Sequence, residues 1–243
     1  MADGAAVVAD PTGAVGGLVL AAGAGRRFGM PKALVTLGGE SLVQRCARML
    51  ADGGCAPVFV VLGARAADVL RSTSLPRERV VLAPDWALGM SASLRRGLAA
   101  LAAVDENLAD RGGNKDGGNS GVDAVVIALA DQPLLGAEAV RQLLAAHASG
   151  AVAAVASYGG QPRNPVLLHR AIWAEVSALA HGDVGARAWL RANPDRVVMV
   201  PCDGTGSPDD VDTPDDLARL VGSDGWPLTP PGASQPPQVD SQS

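Results

Sequence analysis

The chain has 243 residues, 48% of them hydrophobic, with 20 Lys+Arg against 25 Asp+Glu for a net charge of -5. With no block of like charge, this balance excludes a protein that grips nucleic acid electrostatically. Apolar stretches such as 16–25 and 124–130 fall short of the roughly 20 residues a bilayer span needs, and residues 1–16 lack the basic start and apolar run of a secretion signal.

A β-branched apolar run predicts a first strand over 16–22. A helix over 41–52, a strand over 57–62 and a helix over 65–71 follow. A strand over 79–83 leads to a helix over 91–103. A strand over 123–130 leads to a helix over 136–149, where Val140, Leu143, Leu144 and His147 share one face. Strands over 151–156 and 164–168, helices over 169–179 and 185–192, a strand over 196–201 and a helix over 214–221 complete the series. The runs 57–62 and 123–130 are apolar on both faces, as a parallel strand covered by helices on each side requires. Strand–helix alternation at this spacing predicts an α/β fold with a mostly parallel, doubly wound sheet and helices on both faces.

Length and pattern predict one folded domain over 16–221. Residues 105–121, rich in Gly, Asn and Asp, read as a flexible surface loop. Residues 222–243, dominated by Gly, Pro, Ser and Gln, read as a disordered tail, and residues 1–15 as an unstructured leading segment. Cys46, Cys55 and Cys202 are odd in number and not at metal-ligand spacing, which fits reduced thiols in a cytoplasmic protein. The histidines at 147, 169 and 181 are scattered, with no nucleophile–base pairing to suggest.

The first strand runs into Gly23-Ala-Gly25-Arg-Arg-Phe-Gly29-Met-Pro-Lys32. Glycines after a strand let backbone N–H groups approach an anion closely. Arg26, Arg27 and Lys32 bring the cations that charge-assisted hydrogen bonds to a triphosphate would use. The turn is neither of two familiar loops. Its spacing is G-x-G-x-x-x-G rather than the dinucleotide G-x-G-x-x-G, and no acid follows the second strand at Leu62-Gly63-Ala64-Arg65. The Walker spacing fails as well, because Lys32 follows Pro31 and not a glycine.

Acids stand near two ligand edges. Asp131 follows a strand with no other polar residue from 124 onward, at the sheet edge where ligands bind in open α/β folds. It either binds Mg²⁺ beside phosphates or caps the turn before the helix at 136. In Asp209-Asp-Val-Asp212-Thr-Pro-Asp-Asp216, Thr213 reads as an N-cap, Pro214 as the first helical residue, and Asp215 and Asp216 as favourable charges at a helix start. Asp212 is then the residue free to share a metal with Asp131, ahead of Asp210. The segment 84–98 carries small residues at Gly89, Ser91 and Ser93. It leaves room for a flat base, or is a plain capped helix start with Trp86 as a packing wedge.

Taken in series, LAAGAGRRFGMPKAL (20–34), PDWALGMSASLRRGL (84–98), ALADQP (128–133), NPVLL (164–168), HGDVGAR (181–187) and DVDTPDDL (210–217) resemble the MocA-type molybdenum cofactor cytidylyltransferases of the MobA-like NTP transferase family. The resemblance implies a Rossmann-like nucleotidyltransferase fold. It also implies CMP transfer from CTP to the terminal phosphate of molybdopterin, with Mg²⁺ as cofactor and a molybdoenzyme as client. Carried across, Leu20, Ala21, Ala22 and Gly23 lie under the base, Gly25, Arg26 and Lys32 hold the triphosphate, and Gly89 and Ser93 flank base or ribose. Asp131 and Asp212 bind the metal, so Arg26, Lys32 and Asp131 are the expected catalytic groups. Asp183 and Arg187 lie toward the acceptor, although Asp183 also suits a cap of the helix that follows it.

Guanylyltransferase relatives read LAGG where this chain has Leu20-Ala21-Ala22-Gly23, and the Ala22 methyl narrows the floor in favour of cytosine. The chain departs from the family pattern at Phe28, where many relatives carry Met, and at Asn164, where His is frequent. Other expectations compatible with the residues are the same fold acting on a sugar or polyol phosphate or another cofactor precursor, and a non-catalytic cofactor-insertion partner.

Overall fold

The computed structural model describes residues 13–109 and 121–224. Strand β1 (Ala14–Ala21) is followed by a short hairpin, β2 (Thr36–Leu37) and β3 (Glu40–Ser41), turned by Gly38-Gly39. Helix α1 (Leu42–Asp52) starts at Ser41, whose Oγ accepts from the Gln44 N–H at 3.4 Å. Strand β4 (Val58–Leu62), helix α2 (Ala66–Ser72), strand β5 (Val80–Leu82) and helix α3 (Met90–Ala109) complete the first half. The second half holds β6 (Val122–Leu129), α4 (Ala137–Ala148), β7 (Ala153–Tyr158), β8 (Gln161–His169), α5 (Trp173–Leu179), α6 (Arg187–Ala192), β9 (Val197–Pro201) and α7 (Pro214–Asp224).

Seven strands form one sheet in the order β5-β4-β1-β6-β8-β7-β9. All neighbouring pairs are parallel except those made by β8, which runs antiparallel to both β6 and β7. The expected α/β class, mostly parallel and covered on both faces, is what the chain adopts. Side-chain alternation explains the cover. Val19 and Ala21 of β1 and Val126 and Ala128 of β6 join the core under α1 and α4, which contribute Val43, Leu50, Val140 and Leu143. Leu18, Leu20, Val125 and Ile127 point the other way, against Leu94, Leu98 and Leu101 of α3 and Trp173 and Trp189 of α5 and α6. A smaller cluster of Val35, Leu37, Leu42, Val211 and Leu217 fastens the hairpin to α7.

Several element bounds differ from expectation: β8 begins at Gln161 rather than at 164, and α5 at Trp173 rather than at 169. β1 begins at Ala14 rather than at 16, because Ala14 N–H already donates to Gly121 O at 3.1 Å. The β2–β3 hairpin was not expected: two-residue strands carry no readable period. Helix α3 reaches Ala109, into the segment read as a loop, and α7 reaches Asp224. Residues 222–224 of the expected tail and 14–15 of the leading segment thus belong to α7 and β1, while 110–120 of the expected loop, 225–243 of the tail and 1–12 of the leading segment lie outside the described residues.

Candidate active site

The carboxyl ends of β1 and β6 open on one cleft of about 530 Å³. Leu20, Ala21, Ala22, Gly23, Gly25 and Arg26 line it from the strand end and first turn, and Lys32 from the short helical turn that follows. Gly89 and Ser93 line it from the start of α3, and Asp131, Asp183 and Asp212 from three later segments. Twelve of the thirteen site residues expected from sequence therefore share this cleft. Arg187 is the exception: it lines a neighbouring cavity of about 680 Å³, and a small cavity between Leu20, Met90, Asn164 and Arg187 lies between the two.

The first turn is held by its own backbone. Gly25 has φ 61°, and its carbonyl accepts from the N–H groups of Phe28 at 3.0 Å and Gly29 at 2.9 Å. A Cβ at Gly25 would overlap the Met30 carbonyl oxygen, so only glycine closes this loop. The loop delivers Lys32 back under the strand ends.

There Lys32 Nζ donates to Asp131 Oδ2 at 2.9 Å and to Asp212 Oδ1 at 2.6 Å. Burial opposes the charge on Lys32, but hydrogen bonds and attraction from the two carboxylates outweigh it and hold the ammonium above its ordinary pKa. Arg27 Nη2 adds a contact of 3.1 Å to Asp212 Oδ2 from an exposed position. Arg26 is exposed and makes no ion pair with a described residue.

The two acids arrive by different routes. Asp131 sits one residue past the β6–turn junction. Asp212 is stitched beside it because Val211 N–H donates to the Asp131 carbonyl at 2.8 Å. Thr213 and Asp216 form a reciprocal cap: Asp216 N–H donates to Thr213 Oγ1 at 3.2 Å, and Thr213 N–H to Asp216 Oδ2 at 2.8 Å. With Asp216 occupied there, Asp212 is the acid that meets Asp131 at Lys32. Asp210 does not reach Lys32 by hydrogen bond; burial and the neighbouring Asp131 carboxylate push its pKa up.

Asp131 Oδ1 is buried and has no hydrogen-bond partner. A buried, orphaned carboxylate oxygen beside a second carboxylate fits a hard divalent cation. Among the described residues no group of three or more His, Cys, Asp or Glu could hold a metal alone, so an ion here would draw its other ligands from phosphate and water.

Asp183 caps a helix other than the one expected. Its Oδ1 accepts from Met90 N–H at 3.1 Å, and the Gly182 carbonyl accepts from Ser91 N–H at 2.9 Å, so the 182–183 turn completes the start of α3. Gly89, at φ 104°, makes this possible; a Cβ there would stand 2.5 Å from the Gly182 carbonyl.

The sequence model of the MobA-like NTP transferase domain matches residues 17–197. The chain belongs to that family. Nicotine blue oxidoreductase of Paenarthrobacter nicotinovorans is 34% identical over 214 residues, covering 85% of this chain and 96% of that protein. Among solved structures, the Mycobacterium tuberculosis Rv0371c homologue from Mycobacterium sp. strain JC1 is 32% identical with TM-score 0.68, covering 86% of this chain and 96% of that one. Rv0371c from M. tuberculosis H37Rv in complex with manganese is 26% identical with TM-score 0.66, covering 86% and 99%. As a MobA-like NTP transferase, the chain is a nucleotidyltransferase enzyme.

Of the residues lining the cleft of this MobA-like domain, eight lie outside the expected site, Arg27 and Trp86 among them. Arg27 was noticed only as one of three turn cations, and Trp86 only as a packing wedge; both line the cleft. The signal for Trp86 was present in the segment 84–98, where it precedes the small residues by three positions. No helix among the described residues is long and apolar enough to cross a membrane.

Proposed function

We propose that the chain transfers CMP from CTP to the terminal phosphate of a molybdopterin-type acceptor and releases pyrophosphate. The observation that carries this reading is the convergence of Asp131 and Asp212 on Lys32 beside a cationic glycine turn. An acceptor phosphate oxygen attacks the α-phosphorus, the bond from that phosphorus to the bridging oxygen breaks, and pyrophosphate leaves with the electron pair. The attacking oxygen is already anionic, so no general base is required. Positioning and charge neutralisation do the work.

In this reading Leu20, Ala21, Ala22 and Gly23 floor the base, with Gly89 and Ser93 flanking base or ribose. Gly25, Arg26 and Lys32 hold the triphosphate. Asp131 and Asp212 would hold a divalent ion, taken here as Mg²⁺, which neutralises phosphate charge when bound. The manganese complex of Rv0371c supports a divalent ion in this fold. Lys32 offsets the mutual repulsion of the two carboxylates and keeps them converged.

The neighbouring cavity supports an anionic acceptor. Arg163, Arg187 and Arg191 line it, none in an ion pair with a described residue and outnumbering the Asp209 and Asp210 carboxylates there, while Val155, Val166 and Met199 supply an apolar wall. Asp183 acts toward the acceptor by fixing the 182–187 turn against α3. A molybdoenzyme client and a cytoplasmic setting complete the proposal; three buried free thiols fit the latter.

A pyrophosphate-release screen of the four nucleoside triphosphates against molybdopterin and against sugar and polyol phosphates tests it. CTP with molybdopterin is expected to be the productive pair. A different acceptor would reassign the substrate, and release with no pair would overturn the reading in favour of a non-catalytic insertion partner. The name of the 34% identical relative brings in a second reading, redox transfer in the same cleft. NAD(P)H oxidation with nicotine blue, run beside the screen, separates the two.

A further inference from the structure

We infer that Trp86 is the stacking platform for the nucleotide's base. This rests on the nucleotide reading of the cleft and adds to it the residue that grips the base by its face.

Three tryptophans lie among the described residues, and two of them are fully engaged. Trp173 Nε1–H donates to the Leu168 carbonyl at 3.0 Å, and the Arg170 guanidinium lies 5.7 Å from its ring centre. Trp189 Nε1–H donates to Glu175 Oε2 at 2.9 Å, and Arg196 lies 5.0 Å over its ring. Phe59 is likewise covered, by Arg79 at 5.3 Å. Among the described residues Trp86 has neither kind of partner: no guanidinium covers its ring and no acceptor takes its N–H. It is half-buried, packed on one side against the core beneath α3, and it is the sole aromatic among the residues lining the cleft.

Its placement is enforced by close packing. A Cβ at Gly63 would lie 2.5 Å from Trp86 Cβ and 2.7 Å from the Ala22 carbonyl oxygen, so Trp86 is seated tightly over the end of β4, next to the Ala22 floor. A large aromatic that lines a cleft with no protein cation on its ring and no protein acceptor on its N–H is free to receive a flat, polar-edged ligand. A nucleobase has both features, and every base offers a π-face. Trp86 thus contributes affinity shared by all bases, while Ala22 contributes the choice between them.

The test is CTP binding to the full chain, followed by tryptophan fluorescence and calorimetry, with tripolyphosphate as a probe that has charge but no base. Wild-type emission should be quenched by CTP and not by tripolyphosphate. Trp86→Leu should weaken CTP about ten- to a hundredfold and leave tripolyphosphate affinity unchanged. Trp86→Phe should retain CTP affinity within about threefold and lose the quench, a readout that stands even if the leucine variant does not fold. Equal weakening of CTP and tripolyphosphate would show a merely structural role and overturn the inference. So would CTP affinity unmoved in Trp86→Leu, or a quench retained in Trp86→Phe, and either would leave the nucleotide reading intact. Failure of the wild type to bind CTP would instead overturn that reading, and this inference with it.

Discussion

Asp131 and Asp212 meet on a single atom: Lys32 Nζ lies 2.9 Å from one carboxylate and 2.6 Å from the other. The pair is held from the backbone as well, through the 2.8 Å bond from Val211 N–H to the Asp131 carbonyl. Convergence is therefore built into the chain path and not only into the ion pairs.

Asp131→Ala is expected to abolish pyrophosphate release, lowering kcat by at least about a hundredfold, because transition-state charge loses its counter-ion support. The variant should still show native circular dichroism and a cooperative melt. Unchanged turnover in a folded variant would remove Asp131 from the metal assignment.

Ala22→Gly should move nucleotide preference toward GTP. Ala22 is 6% exposed at the cleft floor, and removing one methyl shifts discrimination by about 1–3 kcal/mol. The ratio of kcat/KM for CTP and GTP measures this. If that ratio stays put, the base does not rest on Ala22.

Arg187→Ala should raise the acceptor KM by about tenfold or more, the scale of a lost charged hydrogen bond, and leave the CTP KM within twofold. Arg187 lies in the second cavity rather than in the nucleotide cleft, which is why the two constants should part. A matched rise in both would place it with the triphosphate.

Gly89→Ala combines an unfavourable φ of 104° with a collision 2.5 Å from the Gly182 carbonyl. The expected cost is about 2 kcal/mol or more, a fall in Tm of at least about 4 °C for a domain of this size. A melt indistinguishable from wild type would mean that the 182–183 turn is not fastened to α3.

The thiols predict an alkaline limb. Burial pushes Cys55 up to about 12 from a model-compound value of 9.0, and burial also raises Cys46 and Cys202. Above pH about 9 the unfolded chain loses these protons first, so stability is complete below that pH. It falls as pH rises through the folded values, by up to about 1.4 kcal/mol per pH unit for each thiol. Urea melts between pH 8 and 11 should show the midpoint falling, and Cys55→Ala should flatten the slope. A midpoint that rises over this range would contradict the burial of these groups.

Features whose cause lies within a few residues were legible beforehand. The glycine turn after β1, the polar residue ending an apolar strand at Asp131, and the Thr213–Asp216 cap all announce themselves by spacing, and the structure has them as read. Which helix Asp183 caps was not legible, because its partner, Met90, is 93 residues away and no local pattern encodes that distance. Trp86 was read as packing alone because a sequence names an aromatic without saying which of its faces its neighbours leave bare. Only the contrast with Trp173 and Trp189, each roofed by an arginine, separates it from them.

The distance between Lys32 and Asp212, 180 residues along the chain, also governs when the site comes into being during synthesis. A nascent chain exposes its glycine turn long before its second carboxylate. Until that acid has emerged, Lys32 lacks half of its counter-charge. A chain cut short before Asp212 therefore carries the cationic turn without its second counter-charge.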